Sequence, residues 1–367
     1  MSAVNPLVLI MAGGTGGHIF PALAVANELQ ERGFRVEWIG TAIGLEAKVV
    51  PAAGIALHCL AVRGVRGKNP VRKVLALMSL MVAALQSLWL VLRLSPSCVV
   101  GMGGYVAGPA GVAAWLLRKP LVIQEQNAVA GTSNRMLAKL ATKVFTGFSN
   151  AFASDVETET VGNPVRAELI REAAISSYDY RGQRPLRLLI IGGSLGAKPI
   201  NDVIPATLHD LTSRGLDDEL LVRHQCGEIH AEVVRKCYGE QHDSKIVVSA
   251  FIEDMAEAYS WADIVLCRAG ALTVSELAIM GRPSILVPLP QAIDDHQTHN
   301  ARSLERVGAA VLVKQSDMTS AALADILQTF IEDPQQLTNM AQAAAAAAKP
   351  DATRLVCDSC EALIHGR

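Results

Sequence analysis

The chain has 367 residues and a formal net charge of −2 at pH 7, and half of its residues are hydrophobic. The length is too great for one ordinary core, so we expect two domains, and the near-neutral charge argues against a protein that binds nucleic acid. Abundant small aliphatic residues favour α/β layers built on buried parallel strands. Seven cysteines, an odd number, and a start without a signal peptide predict free thiols in a reducing cytoplasm.

The first half of the chain alternates strand-like apolar runs with helical patterns. The run 7–11 predicts a buried strand and 21–29 predicts the next helix, with the glycine-rich segment 13–18 between them. Glycine lets a backbone turn tightly, and a helix N-terminus offers unpaired N–H groups to an anion. Neither a dinucleotide fingerprint nor a P-loop is complete in the chain. The segment therefore predicts a phosphate or sugar site without naming the ligand.

A basic cluster precedes a long apolar stretch, 74–92, which carries no charge. The cluster consists of Arg63, Arg66, Lys68, Arg72 and Lys73. The stretch approaches the roughly 20 residues that cross a bilayer, so a transmembrane helix is one interpretation. Because the strand pattern resumes at 97–100, a crossing would divide one sheet between two compartments. We expect instead a helix that packs one face on the sheet and turns the other to an anionic membrane surface, with a solvated loop before a buried helix as the alternative.

Two further segments follow predicted strands in the first half. Gly103, Gly104 and Tyr105 come after 97–100, and the polar residues 124–127 come after a strand at 120–123. Doubly wound sheets place ligand groups at the carboxyl ends of their parallel strands. Both segments are therefore candidates for substrate binding.

The second half of the chain restarts the same pattern. An apolar strand at 186–191 is followed by the glycine-rich segment 192–197, which echoes 13–18. This internal similarity predicts two Rossmann-like units in series. Ala197 stands where the first segment has His18, and for this reason we expect the chemistry at the first segment.

Two polar patterns in the second half fit a sugar nucleotide. Thr273 and Glu276 have the spacing of a helix capping box; alternatively, the two oxygens of Glu276 accept hydrogen bonds from a ribose diol. The polar run 294–300 is either a helix cap or a binder of sugar hydroxyls, since its spacing matches no usual metal-ligand pattern. No Asp-x-Asp occurs in the chain, so the usual signature of metal-dependent sugar transferases is missing.

Motifs in one order over nearly the whole chain resemble a known family. They are GGTGGHIFPALAVA, GMGGYVAGPAG, QEQNAVAG, VGNPVR, GGSLGA, FIEDMAEAY, CRAGALTVSE and DDHQTHNA. Together they closely resemble the MurG family, the bacterial N-acetylglucosaminyltransferases of peptidoglycan synthesis. The resemblance implies an α/β protein with the GT-B glycosyltransferase fold, in which two Rossmann-like doubly wound domains face each other across a cleft. It implies an acceptor and membrane domain at 1–165, a donor domain at 166–349, and a final helix at about 350–367 that packs back on the first domain.

The resemblance also implies the reaction and its place. UDP-GlcNAc would transfer GlcNAc with inversion to lipid I (undecaprenyl-diphosphate-MurNAc-pentapeptide), giving lipid II, without a metal or other cofactor. The enzyme would be peripheral at the cytoplasmic face of the bacterial inner membrane, held by the basic cluster and the apolar helix.

The family's substrate residues are carried over by position. Arg166 and Ser194 would hold the donor diphosphate, the backbone of Ile252 would contact the uracil, and Gln297 would contact GlcNAc hydroxyls. The ribose and phosphates would be covered by Ala271, Leu272, Thr273, Val274, Ser275 and Glu276. The first domain would complete the donor site with Thr15, Gly16, Gly17 and Asn127. The acceptor diphosphate would bind Gly13, Gly14, Gly103, Gly104 and Tyr105.

Inversion requires a base for the attacking hydroxyl. An imidazole suits this task because it exchanges its proton near neutral pH, which makes His18 a candidate, and Glu125 is the competing candidate. A structural hydrogen bond that shapes the loop is the alternative role for His18. Arg166 and helix N-termini would stabilise the charge on the leaving phosphate. Gln124 stands where the family often has His, and Ala269 where Ser is frequent, which makes Gln124 a poor catalytic candidate.

Two other functions are compatible with paired Rossmann units. A nucleotide-dependent oxidoreductase is one, although neither half has a proper GxGxxG. A non-catalytic, membrane-associated protein that binds a nucleotide sugar is the other, and it would bind UDP-GlcNAc without transferring the sugar.

Overall fold

The computed structural model describes residues 5–61, 70–193, 195–239 and 245–366. Within it, the chain divides into two compact units. One unit comprises Met1–Arg166 together with Pro350–Arg367, and the other comprises Ala167–Lys349. The final helix therefore belongs to the first unit.

The first unit is built on a parallel sheet in the order β3-β2-β1-β4-β5-β6-β7. Its strands are β1 (Leu7–Ala12), β2 (Arg35–Gly40), β3 (Ala56–Cys59), β4 (Cys98–Gly103), β5 (Leu121–Glu125), β6 (Lys143–Thr146) and β7 (Glu159–Thr160). Its helices are α1 (Gly16–Glu31), α2 (Glu46–Ala52), α3 (Pro70–Leu94), α4 (Ala107–Leu116), α5 (Thr132–Ala138) and, at the end of the chain, α14 (Ala352–His365). Every residue of β1, β4 and β5 is buried, as expected for central strands with helices on both faces.

The second unit repeats the plan with a parallel sheet in the order β10-β9-β8-β11-β12-β13. Its strands are β8 (Leu186–Ile191), β9 (Leu220–Gln225), β10 (Ile246–Ser249), β11 (Ile264–Cys267), β12 (Ser284–Leu286) and β13 (Ala310–Leu312). Its helices are α6 (Ala167–Ile175), α7 (Lys198–Ser213), α8 (Ala231–Tyr238), α9 (Met255–Trp261), α10 (Ala271–Ile279), α11 (His296–Glu305), α12 (Ser320–Glu332) and α13 (Pro334–Ala346). The prediction of two Rossmann-like parallel-sheet units in series is confirmed.

Among the element boundaries that differ from the sequence prediction, two bear on the candidate bases His18 and Glu125. Helix α1 begins at Gly16 rather than near Pro21, so Gly16, Gly17 and His18 form its first turn and the loop shrinks to 13–15. Strand β5 continues through Gln124 and Glu125, which are fully buried. Both differences have one cause. Glycine has a low preference for helices and polar side chains are uncommon in buried strands, but tertiary contacts override these local preferences.

Helix α3 has the two faces that the sequence predicts, from residue 78 onward. Ala83, Ser87 and Val91 are buried, whereas the apolar side chains of its other face are exposed, Leu85 at 68%. No bilayer-spanning helix is found among the described residues. Of the basic cluster, Arg63, Arg66 and Lys68 lie outside the described residues, and so do the side chains of Arg72 and Lys73 in α3.

Candidate functional sites in the two sheets

The glycine-rich segments of the first unit lie at the switch point of its sheet. Strand β1 has β2 on one side and β4 on the other, so the loops that follow β1 and β4 leave the same edge side by side. Ligands of doubly wound sheets bind in the crevice at this point. The two loops carry the sequence-predicted acceptor residues, with Gly13 and Gly103 buried, Gly104 half-buried, and Gly14 and Tyr105 exposed.

The two loops pack together through glycine. Gly104 has a φ of +87°, and a Cβ added to it would lie 2.2 Å from the carbonyl oxygen of Gly13. A side chain at this position would separate the loops, and its backbone conformation disfavours any residue other than glycine. The structure thus brings the first and second predicted segments into direct contact.

The first turn of α1 presents free donors to solvent. Thr15 is the N-cap and is exposed, with no hydrogen bond from its side chain to the helix. The N–H groups of Gly16 and Gly17 make no hydrogen bond to any described residue, as expected at a helix N-terminus. Together with the helix dipole, these donors make the turn suitable for a phosphate.

Glu46 fixes the first loop from behind, a role that our sequence reasoning missed. This glutamate is fully buried at the start of α2. One carboxylate oxygen accepts hydrogen bonds from the backbone N–H (3.0 Å) and hydroxyl (2.7 Å) of Thr41, and the other accepts from the N–H of Gly14 (3.3 Å). The N–H of Gly14 therefore points into the protein. An acidic residue in a first helical turn just after a strand and a glycine was the available signal, but it is also an ordinary helix-dipole pattern.

His18 is half-buried in the first turn of α1, and its ring contacts a residue far away in the sequence. Its Nδ1 lies 2.6 Å from Oε1 of Gln126, in the segment that follows β5. The structure therefore brings His18 and the second polar segment of the first unit together. The sequence predicts Gln126 only as part of the candidate substrate-binding segment 124–127, and does not predict its contact with His18.

Glu125, the other candidate base, is fully buried and both of its oxygens are engaged. One accepts hydrogen bonds from the backbone N–H (2.9 Å) and side-chain amide (3.2 Å) of Asn127. The other accepts from the N–H of Gly131 (3.0 Å) and the amide of Asn134 (2.9 Å). These four bonds fold the segment after β5 around the carboxylate.

The second unit has a corresponding switch point between β8 and β11. In the loop after β8, Gly196 has a φ of +75°, and a Cβ there would lie 1.9 Å from the carbonyl oxygen of Cys226. The side chain of Gln225 accepts from the N–H of Gly192 (3.1 Å) and donates to the carbonyl of Gly193 (3.0 Å). Ser194 lies outside the described residues.

Helix α10 begins directly after β11 and carries most of the predicted donor residues. Its N-cap is Gly270, so Thr273 lies inside the helix and the capping-box interpretation is wrong. Glu276 is buried and accepts a hydrogen bond from the hydroxyl of Tyr259 (3.0 Å). Ala271 and Val274 are buried, whereas Leu272, Thr273 and Ser275 are half-buried. Burial, with the nearby Glu276 carboxylate, raises the pKa of the Cys267 thiol to about 12, so this neighbouring cysteine is no nucleophile.

The remaining predicted residues lie in separate segments. Ile252 is half-buried between β10 and α9, and Arg166 is half-buried just before α6. Oε1 of Gln297, in the first turn of α11, accepts a hydrogen bond from the N–H of Leu289 (2.9 Å). Asn127 is half-buried beside Glu125. Within the described ranges, no group of three or more His, Cys, Asp or Glu is arranged to hold a metal ion.

The chain matches two domain families along most of its length. Residues 8–146 match the glycosyltransferase family 28 N-terminal domain, and residues 187–356 match the family 28 C-terminal domain. The chain is 51% identical over 359 residues to a protein of Stutzerimonas stutzeri (strain A1501), named UDP-N-acetylglucosamine–N-acetylmuramyl-(pentapeptide) pyrophosphoryl-undecaprenol N-acetylglucosamine transferase; the match covers 98% of this chain and 99% of that protein.

Solved structures give the same result. The crystal structure of Acinetobacter baumannii MurG matches with a TM-score of 0.80 and 39% identity, covering 97% of this chain and 99% of that one. The glycosyltransferase VinC, solved in complex with dTDP, matches with a TM-score of 0.67 and 15% identity over 98% of this chain and 100% of that one, which shows the fold alone. The predicted GT-B fold is confirmed, and the chain belongs to the MurG family of glycosyltransferases.

Proposed function

We propose that this protein transfers GlcNAc from UDP-GlcNAc to lipid I and so forms lipid II for peptidoglycan synthesis. The observation that carries the proposal is its similarity, over nearly the whole chain, to relatives named for this transfer. In the reaction, the 4-hydroxyl oxygen of the acceptor sugar attacks C1 of GlcNAc while the bond from C1 to the UDP oxygen breaks. The hydroxyl proton passes to a base, and UDP leaves with the bonding electrons.

The second unit supplies the donor site in this proposal. Its glycine loop lies at the switch point, where Gln225 fixes the backbone from one side. Helix α10 starts beside it, so its N-terminal N–H groups and dipole would stabilise negative charge on the leaving diphosphate. Glu276, oriented by Tyr259, would accept hydrogen bonds from ribose hydroxyls.

The other donor contacts stay predictions. They are the diphosphate contacts of Arg166 and Ser194, the uracil contact of Ile252, the sugar contact of Gln297, and the contributions of Thr15 and Asn127. Gly16 and Gly17, which the resemblance places at the donor, are reassigned in this proposal to the acceptor diphosphate.

The first unit supplies the acceptor site in this proposal. The exposed first turn of α1 would bind the acceptor diphosphate with the free N–H groups of Gly16 and Gly17. Gly13, Gly103 and Gly104 would shape this site rather than donate to it, and the N–H of Gly14 is engaged by Glu46. The exposed ring of Tyr105 would lie at its edge.

We propose His18 as the base that takes the hydroxyl proton. It lies on the turn that would bind the acceptor and is half-buried, with one ring nitrogen engaged by Gln126. Glu125 suits the task less well, because each of its oxygens already accepts two hydrogen bonds and the carboxylate is fully buried. We therefore assign Glu125 to holding the loop after β5.

The exposed face of α3 supplies a surface for membrane binding. Trp89 lies on it, and Trp115 and Leu116 at the end of α4 are also exposed. Apolar and aromatic side chains of this kind insert into the boundary between headgroups and acyl chains. The basic cluster of residues 63–73 would add about 1 kcal/mol for each Lys or Arg near an anionic leaflet. The protein would thus be peripheral at the cytoplasmic face of the inner membrane.

Transfer of labelled GlcNAc from UDP-GlcNAc to a lipid I analogue tests the proposed function. We expect a β-1,4-linked product and release of UDP. Tight UDP-GlcNAc binding without transfer would favour the non-catalytic alternative, and tight binding of a nicotinamide dinucleotide would favour an oxidoreductase.

Liposome flotation tests the membrane surface separately. The protein should float with vesicles that contain anionic lipid and detach in high salt, since electrostatic attraction is screened. A Leu85→Glu substitution on the exposed face of α3 should reduce flotation and leave transfer to a water-soluble acceptor unchanged. Equal flotation of this variant would argue against the surface.

A further inference from the structure

The hydrogen bonds around His18 determine which of its ring nitrogens carries the proton. Oε1 of Gln126 faces Nδ1 of His18, and Nε2 of Gln126 donates to the backbone carbonyl of Gln124 (3.1 Å). A backbone carbonyl can only accept, so the atom beside it must be the amide nitrogen. The atom that faces His18 is therefore the amide oxygen, which also can only accept, and Nδ1 must be the donor.

The orientation of Gln126 is supported by two further buried amides. Nε2 of Gln124 donates to the backbone carbonyl of Gly162 (3.3 Å) and to Oδ1 of Asn163 (3.0 Å). This leaves Oε1 of Gln124 to accept a second hydrogen bond from Nε2 of Gln126. Nδ2 of Asn163 in turn donates to the backbone carbonyl of Gln126 (3.0 Å).

Each of the three amides is thus oriented by a different backbone carbonyl, and all three side chains are buried. Reversing any one of them would place a buried N–H donor against a donor or a carbonyl against a carbonyl. Leaving a buried polar group unsatisfied costs about 1–3 kcal/mol. The chain of amides therefore has one stable arrangement.

The position of the ring is also fixed. A Cβ added to Gly103 would lie 2.8 Å from Nδ1 and 2.9 Å from Cε1 of His18, so the backbone at the end of β4 packs against the imidazole. Gln126 holds one ring edge and Gly103 covers part of the ring. Nε2 is the nitrogen left for another partner.

We propose that Gln126 is a positioning residue that holds neutral His18 as the Nδ1–H tautomer, so that Nε2 carries the lone pair that accepts a proton. The catalytic use of that lone pair rests on the proposed function, in which His18 is the base. Gln126 touches no substrate in this proposal and acts only through His18. The arrangement resembles the use of a fixed second group to orient a catalytic imidazole, although here the group is a neutral amide rather than a carboxylate.

The second unit contains an internal reference with the opposite tautomer. Nε2 of His224 lies 3.1 Å from Oδ1 of Asn201, whose Nδ2 donates to the backbone carbonyl of Cys226 (2.9 Å). By the same reasoning, Oδ1 is the acceptor and His224 carries its proton on Nε2. Nδ1 then accepts from the hydroxyl of Tyr238 (2.7 Å).

Nitrogen-15 NMR of histidine side chains in the full-length protein tests the proposal, because protonated and unprotonated ring nitrogens have well-separated shifts. Spectra are recorded at about pH 8.5, above the ordinary histidine pKa of about 6.5, and His18→Asn and His224→Gln assign the signals. We expect protonated Nδ1 for His18 and protonated Nε2 for His224. Protonated Nε2 on His18 would overturn the proposal.

Two matched substitutions distinguish a residue that positions His18 from one that only supports the fold. Gln126→Leu removes the amide beside His18, and Asn201→Leu removes the amide beside His224. Gln126→Leu should shift His18 towards the Nε2–H tautomer that free imidazole favours and lower kcat about 100-fold, the lower end for a general base, with KM for UDP-GlcNAc unchanged. Asn201→Leu should change only the His224 signals.

A conservative substitution at Gln126 should retain the Nδ1–H tautomer of His18. Gln126→Glu keeps an oxygen facing Nδ1 and should retain the Nδ1–H tautomer, even though the carboxylate cannot donate to Gln124. An unchanged His18 tautomer in Gln126→Leu would overturn the proposal. The spectra decide the tautomer and the activity of His18→Ala decides the base, so the inference and the proposed function fail separately.

Discussion

The two glycine loops of this protein occupy equivalent places in their sheets but are held by different chemistry. The loop after β1 is fixed by the buried carboxylate of Glu46, whereas the loop after β8 is fixed by the amide of Gln225. In the first unit the helix begins almost at once, so that His18 occupies its first turn. In the second unit α7 begins only at Lys198, after Ala197.

The histidines of the two regions differ in the same way. His18 is half-buried with one ring nitrogen bonded to Gln126, whereas His224, next to Gln225 on β9, is fully buried with both nitrogens bonded. Burial lowers the pKa of His224 to about 4, so it stays neutral in neutral solution. Both units thus contain a histidine hydrogen-bonded to a side-chain amide, near the surface in the first unit and in the core in the second. If His18 is the base that we propose, exposure of a ring nitrogen, rather than the pairing itself, distinguishes the catalytic histidine from the structural one.

The largest expected effect comes from removing the half-buried histidine, His18. His18→Ala should lower kcat by roughly 10²- to 10⁴-fold, the usual contribution of a general base, with a small change in KM for UDP-GlcNAc. His224→Gln should retain kcat at neutral pH. Steady-state kinetics with UDP-GlcNAc and a lipid I analogue measure both.

Glu125→Gln is the matched control for the base. It keeps one oxygen but turns an amide nitrogen towards N–H donors, so we expect a lower free energy of unfolding and a more modest loss of kcat. Full activity in His18→Ala with strong loss in Glu125→Gln would reverse our assignment.

The sequence predicts the sheets of this comparison better than it predicts the contacts. Buried parallel strands have continuous apolar runs, so β1, β4 and β8 are evident from composition alone. The hydrogen-bonded histidine–amide pairs that distinguish the two regions cannot be predicted in this way. His18 and Gln126, for example, are 108 residues apart in the chain. A side chain's partner depends on which strands become neighbours.

The capping box predicted at Thr273 and Glu276 is wrong for the same reason. The spacing of Thr273 and Glu276 fits a local cap, but the helix begins at Gly270 and Glu276 bonds to Tyr259 on α9. The sequence does not predict the start of α1 because Gly16 and Gly17 have low helix propensity, and it does not predict the close approach of the loop after β4, which depends on Gly104 packing against Gly13. Local propensity therefore fails at the positions where close tertiary contact is required.

The buried His224 should make the free energy of unfolding depend on pH. Because the pKa of His224 is lower in the folded state than its unfolded value of about 6.5, the unfolded chain binds the extra proton first. Its contribution is fully present above about pH 6.5 and is lost as pH falls towards about 4, by roughly 3 kcal/mol in all. Urea unfolding of wild type and His224→Gln at several pH values measures it. The variant should have a shallower decline over this window, and parallel curves would show that His224 does not set the slope.

The smallest expected effects come from exchanging the groups that hold the two loops. In Glu46→Gln, an amide nitrogen faces the N–H of Gly14 or Thr41, and in Gln225→Glu, a carboxylate oxygen faces the carbonyls of Gly193 and Ala250. Each mismatch should lower the free energy of unfolding by about 1.5–3 kcal/mol.

The kinetic consequences of the two exchanges should be opposite, because each loop would serve a different substrate. Glu46→Gln should raise KM for the lipid I analogue and leave KM for UDP-GlcNAc unchanged, whereas Gln225→Glu should do the reverse. Thr41→Val, which removes the hydroxyl that donates to Glu46 and accepts from the N–H of Gly44, is a graded control and should cost about 1–2 kcal/mol with a smaller rise in acceptor KM. If both exchanges changed both KM values equally, the loops would not divide acceptor from donor, because a loop dedicated to one substrate transmits its distortion to that substrate alone.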